Sequence, residues 1–123
     1  MGLPRIERLL RRHEVQTAGS GHDGAMFRHV VMFQWAEGID EAHIAATRAA
    51  FDALPGKIDV LRSYVHGPDV GISEGNYDYV VVADVDGPDE FVTYRDHPDH
   101  QALVGEFIAG KVTARSAVQY RTP

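Results

Sequence analysis

The chain has 123 residues, of which 44% are hydrophobic and 24% charged, with a formal net charge of −6 and no cysteine. That length and composition fit one globular domain, and the missing cysteines exclude disulfides, thiolate nucleophiles and cysteine-based metal sites, as expected of a protein of the reducing cytoplasm. Residues 1–25 hold four arginines against three acids and the remainder eight bases against fifteen acids, an acidic balance without a basic stripe that argues against nucleic acid and anionic membranes as partners.

Taken in chain order, the first segment is an appendage. Pro4 opens a candidate short helix through Val15, with Ile6, Leu9, Leu10 and His13 on one side. Its charges recur too often for a secretory leader, and no apolar run in the chain approaches the roughly 18 residues of a membrane span. Thr17 to Gly24 is a run of small residues with the composition of a linker. Residues 1–25 therefore read as a flexible N-terminal extension and 26–123 as the compact domain.

Phe27–Trp35, FRHVVMFQW, is the first expected strand, dense in β-branched and aromatic residues. Asp40 caps an expected helix over Glu41–Leu54, where Ile44, Thr47, Ala50, Phe51 and Leu54 repeat at helical spacing, and Pro55-Gly56 ends it. Val60–Gly67 reads as a second strand, with Leu61, Ser63 and Val65 on one face and Arg62, Tyr64 and His66 on the other. A loop from Pro68 to Gly75 leads to the third, Tyr77–Val85. Asp89 and Glu90 begin a short helix to about Arg95. His97-Pro98 breaks it, because a residue before proline is pushed out of helical geometry. Pro98 starts a fresh helix to about Ile108, and Val112–Tyr120 closes the domain as a strand. The order β-α-β-β-α-β is that of an α+β, ferredoxin-like sandwich with a four-stranded antiparallel sheet.

Two helices cover only one face of such a sheet, yet both faces are apolar. The first strand sets Phe27, His29, Val31, Phe33 and Trp35 on one side and Val30 and Met32 on the other. The third sets Tyr77, Tyr79, Val81, Ala83 and Val85 opposite Val80 and Val82. Exposing four such side chains forfeits on the order of 6–10 kcal/mol. A second copy packed sheet to sheet, with a cavity shared between the two, is the simplest cover. The expected partner is therefore the chain itself, as a homodimer.

One cluster carries chemistry: Tyr94, His97, Pro98 and His100, spaced to converge at the helix junction. The positive end of the helix starting at Pro98 disfavours an imidazolium at His100, leaving a neutral general base. Tyr94 can donate its phenolic proton to a carbonyl oxygen. His29 and Tyr79 can face the same space; Val31, Phe33 and Val81, with Tyr79 and His97, are the expected substrate contacts. Structural roles compete with each of these: Asp96 or His97 as a helix cap, His100 on a helix surface, His29 as a bonded interior histidine, Tyr79 as packing. No metal is expected, because His97, Asp99 and His100 miss the spacing that sets two ligands on one helical face. No cofactor is expected either, since no Gly-rich phosphate loop follows a strand.

Arg28-His29-Val30-Val31-Met32-Phe33, Gly75-Asn76-Tyr77-Asp78-Tyr79 and Tyr94-x-x-His97-Pro98-x-His100 together resemble the stress-responsive dimeric α/β-barrel (Dabb) family over about residues 26–121. The resemblance implies a ferredoxin-like subunit whose sheets pair across a two-fold axis. A plant branch, similar to olivetolic acid cyclase, closes linear polyketide thioesters by aldol condensation. The acid/base tyrosine and histidine of that branch fall on Tyr94 and His100 and its first-strand histidine on His29, while a third-strand cavity histidine is replaced by Tyr79.

Two functions follow as expectations. One is a cofactor-free cyclase, isomerase or lyase using Tyr/His acid-base chemistry on a small carbonyl or polyketide-like compound. The other is a non-catalytic, stress-associated homodimer holding a hydrophobic ligand. A cavity of about 300 Å³ or more reaching Tyr94 and His100 favours chemistry or ligand binding, whereas an interior closed by Phe33, Tyr79 and Phe107 favours structure.

Overall fold

The structure, a computed structural model, describes residues 25–123. The expected N-terminal helix and linker lie outside the described residues. From Phe27 onward the elements are strand β1 (Phe27–Trp35), helix α1 (Glu41–Ala53), strands β2 (Ser63–Pro68) and β3 (Tyr79–Val85), helix α2 (Pro88–Asp96), helix α3 (Pro98–Leu103, widening into a π turn over Val104–Ile108) and strand β4 (Val112–Arg121). The sheet order is β2-β3-β1-β4 with every pair antiparallel, the ferredoxin-like arrangement.

Period-two alternation decides what each strand buries. His29, Val31 and Phe33 of β1 and Tyr79, Val81, Ala83 and Val85 of β3 are buried. Phe51 of α1 stacks on Phe33 and Tyr79 at ring separations of 6.4 and 5.9 Å. Leu54, Ile58, Tyr94, Leu103 and Ile108 complete the core. Asp40 caps α1 as its side chain accepts from the His43 N–H at 2.9 Å.

The opposite face of the sheet has no helix on it. Val30, Met32, Val80 and Val82 are half-buried there by their neighbours, while Val65 and Val118 are 57% and 58% exposed. Within one chain this apolar face stays uncovered, as the strand patterning requires.

Two strands begin later than their sequences suggest. Residues 58–61 form a turn, closed by Leu61 N–H donating to the Ile58 carbonyl at 3.2 Å, so β2 starts at Ser63 rather than Val60. Asp78 ends the pairing of β3: its carboxylate accepts the Trp35 N–H at 2.8 Å, a donor that a longer strand would have used. Tyr77 thereby leaves the face it was expected to share with Tyr79. Its hydroxyl bonds Ser116 at 3.0 Å on the helix-free side.

Phe51 is 3% exposed and lies against four aromatic rings, those of Phe33, Tyr64, His66 and Tyr79. Phe51→Ala is expected to lower the unfolding free energy by about 3–5 kcal/mol in urea titration; an unchanged midpoint would contradict this packing.

Candidate active site

A cavity of about 370 Å³ lies between the sheet and helices α2 and α3, inside a single chain. The sequence suggested a cavity shared by two chains. It forms within one because the two helices, packed over β1 and β3, leave the edge strand β4 bare. Arg115 and Gln119 of β4 are exposed and form one wall of the gap. Val31, Phe33, Phe51, Val81, Val104 and Ile108 supply an apolar floor, and His29, Tyr94 and His100 meet at it. The volume and its reach answer the test set by the sequence: the interior is open, and neither Tyr79 nor Phe107 closes it.

The placement of His100 follows from a broken helix. Pro98 has no N–H to continue α2, and the next donor, the Asp99 N–H, is taken by His97 Nδ1 at 3.1 Å as the cap of α3. The Arg95 carbonyl at the end of α2 therefore lacks its helical partner. Two side chains fill the vacancy: His100 Nδ1 at 2.9 Å and Gln101 Nε2 at 2.6 Å. A carbonyl only accepts, so His100 Nδ1 carries the proton and Nε2 keeps its lone pair. Burial pulls the His100 pKa below the ordinary 6.5, with His97 and Arg115 helping and the Arg95 carbonyl and Asp96 opposing. Desolvation is the largest of these influences and favours the neutral imidazole.

Tyr94 is 3% exposed, and its ring lies 4.4 Å from that of His100. Burial raises its pKa to about 12, so the phenol is protonated at neutral pH. Tyr64 of β2 bonds the Tyr94 oxygen at 3.0 Å. Burial raises the Tyr64 pKa as well, so both phenols are protonated at neutral pH. With Tyr64 as the donor of this bond, the Tyr94 proton is left for a molecule in the cavity.

His29 is 5% exposed, with Phe91 against its ring at 4.8 Å. Burial, then the charge of Arg115 and the proximity of His100, lowers its pKa to about 4. Gln119 Nε2 donates to its Nδ1 at 3.1 Å, which leaves Nε2–H as a neutral donor. The three groups make one lone pair and two acidic hydrogens around an apolar volume, a set suited to moving a proton beside a carbonyl.

Of the expected substrate contacts, Val31, Phe33 and Val81 line the cavity, whereas Tyr79 and His97 do not. The Tyr79 hydroxyl bonds His66 Nδ1 at 2.7 Å, and His66 Nε2 bonds Asp52 at 2.7 Å, so that phenol serves a separate hydrogen-bonded relay that ends at the exposed Asp52. His97 is spent on capping. Sequence reasoning missed Tyr64, Phe91, Arg115 and Gln119. The alternation that set Tyr64 apart from Val65 signalled its side, but only the register pairing Gln119 with His29 and Arg115 with Phe33 brings β4 to the site.

A histidine whose folded pKa is depressed resists protonation that the unfolded chain accepts. The stability tied to His29 is therefore whole above pH 6.5 and falls as pH drops from 6.5 to about 4. Unfolding titrations across that window are expected to show an acid-side loss on the order of 2–3 kcal/mol that His29→Gln removes. An identical acid slope in the variant would place His29 elsewhere.

The comparisons with known proteins agree with this architecture. The family model described as the stress responsive A/B barrel domain (Dabb) matches residues 27–121. An uncharacterised protein of Streptomyces coelicolor is 36% identical over 81 residues, 64% of this chain and 84% of that protein. A crystal structure from Thermobifida fusca, described as a dimeric ferredoxin-like protein of unknown function, is 39% identical with a TM-score of 0.74, covering 80% of this chain and 92% of that one. The hydroxynitrile lyase of Passiflora edulis shares the fold at 14% identity and a TM-score of 0.70, over 80% and 94% of the two chains. With its family model matched across nearly the whole described domain, this chain belongs to the stress responsive A/B barrel family.

Proposed function

We propose that the chain is a cofactor-free enzyme that moves a proton α to a carbonyl: a cyclase, isomerase or lyase acting on a small carbonyl or polyketide-like compound. The observation that carries the reading is the His100 tautomer, with its Nδ1–H tied to the Arg95 carbonyl at 2.9 Å and Nε2 left to the same cavity that Tyr94 lines.

In the step proposed, His100 Nε2 takes the α-proton. The C–H electron pair passes into the carbonyl, and the oxygen that gains charge is held by the Tyr94 O–H and the His29 Nε2–H. In a cyclisation, the carbanionic carbon then bonds a second carbonyl carbon. The alkoxide formed there takes the proton back from the His100 imidazolium, so that no atom is gained or lost. An isomerisation returns the proton to the other end of the enolate, and a lyase runs the carbon–carbon step in reverse.

The apolar floor also suits a second reading, a stress-associated protein that holds a hydrophobic ligand without turning it over. Exchange of solvent deuterium into the α-carbon of phenylacetone, followed by NMR, separates the two. Enzyme-dependent exchange is expected, falling by roughly 10²–10⁴-fold in His100→Ala and by roughly 10²–10³-fold in Tyr94→Phe, with the circular dichroism of the fold unchanged. Equal exchange in wild type and His100→Ala would remove His100 from the mechanism. Binding of phenylacetone without exchange would favour the ligand-holding reading.

The assembly is proposed to be a homodimer built on the helix-free face, supported by the exposed Val65 and Val118 and by the description of the Thermobifida fusca relative as dimeric. Light scattering is expected to give about twice the chain mass of 13.6 kDa, and Val118→Glu to shift it towards a single chain. A wild-type particle of one chain mass would overturn the dimer while leaving each cavity intact.

A further inference from the structure

The charges around the cavity point beyond a bare carbonyl compound. Residues 26–123 hold fifteen acidic side chains against eight basic ones, yet none of the fourteen residues lining the cavity is Asp or Glu. Two arginines do line it. Arg95 is already neutralised, with Nε and Nη2 bonded to the two carboxylate oxygens of Asp96 at 2.8 and 3.1 Å. Arg115 has no hydrogen bond or ion pair to any carboxylate among the described residues.

Strand register places Arg115 where an occupant would meet it. It pairs with Phe33 on β1, four residues from Gln119, which pairs with His29. Both stand on the helix side of the edge strand, with exposed Ala117 between them on the same face. One wall of the mouth is therefore built on Arg115 and Gln119, whose Cα atoms stand about 13 Å apart along the strand, beneath an apolar interior. Other charged or titratable groups nearby are His29, His97, His100 and the Arg95–Asp96 pair. The histidines are held neutral or capped, so the arginine's charge is unanswered from inside the cavity.

We propose that the natural occupant is a small carboxylic acid with an apolar or aromatic body, its carboxylate taken by Arg115 at the mouth and its reactive carbon set between Tyr94 and His100. This rests on the reading that the cavity takes a small carbonyl compound, and it narrows that class to keto acids and their relatives. A guanidinium presents paired N–H donors to a carboxylate, which a neutral ketone cannot match. The bound anion also offsets the field of Arg115 on the two histidines, so binding is expected to raise the basicity of His100.

The test compares phenylacetate with its neutral isostere phenylacetamide by calorimetry at low ionic strength, in wild type, Arg115→Gln and Arg115→Lys. Wild type is expected to bind the carboxylate roughly tenfold tighter than the amide. Arg115→Gln should make the two equal, and Arg115→Lys should keep part of the preference. His100→Ala should keep it too, and absence of α-proton exchange in wild type with the preference intact counts against the catalytic reading and not against this one. Equal binding of the two probes by wild type, a preference that survives Arg115→Gln, or no binding of either probe would each overturn the proposal.

Discussion

A helix that stops leaves carbonyl oxygens without partners, and in this chain one such oxygen organises the site. Pro98 cannot donate to α2, and His97 diverts the Asp99 N–H into a cap, so the Arg95 carbonyl must find a donor elsewhere. It finds His100 and Gln101. Because the acceptor is a carbonyl, the bond also chooses the tautomer and decides which imidazole nitrogen has a lone pair. The backbone break, the ring orientation and the chemical character of the base are thus one event.

Around that base the remaining polar groups are held as neutral donors. The Tyr64 and Tyr94 hydroxyls share one hydrogen bond, and with Tyr64 donating, the Tyr94 O–H faces the occupant. Gln119 gives an N–H to His29 and fixes the opposite tautomer from that of His100. Desolvation favours the neutral forms of Tyr94, His29 and His100, raising the phenol and lowering both imidazoles. With those three groups neutral, the interior responds strongly to charge brought by a bound molecule, since low dielectric magnifies any field.

The sheet divides its duties by side. Odd-numbered residues of β1 and β3 build the core and the cavity, while Val30, Met32, Val80 and Val82 build a second apolar surface without taking part in the site. This separation keeps the side chains of the helix-free face out of the lining of the cavity.

Much of this was legible in the amino-acid order. The strand alternation, the Asp40 cap and the His97-Pro98 break specified the element order, and the break also singled out the neighbourhood of Tyr94 and His100. Local patterns carry those features because a turn or a cap is decided by a few adjacent residues. What stayed hidden depends on pairing between distant segments: Arg115 and Gln119 reach the cavity only through the register of β4 on β1, and Tyr64 of β2 reaches Tyr94 on α2. Tyr79 shows the reverse failure. Its strand face was read correctly, yet its hydroxyl is claimed by His66, a partner that strand parity does not reveal. The cavity itself was expected between two chains and lies within one, because the sequence does not say how far a helix stands from an edge strand.

The central claim is that the Arg95 carbonyl holds the proton of His100 on Nδ1. Nitrogen–proton correlation NMR of the histidine rings at neutral pH reads that directly. The account predicts a protonated, pyrrole-type Nδ1 and an unprotonated, pyridine-type Nε2 for His100; the reverse assignment, or an averaged pair of signals, would contradict it.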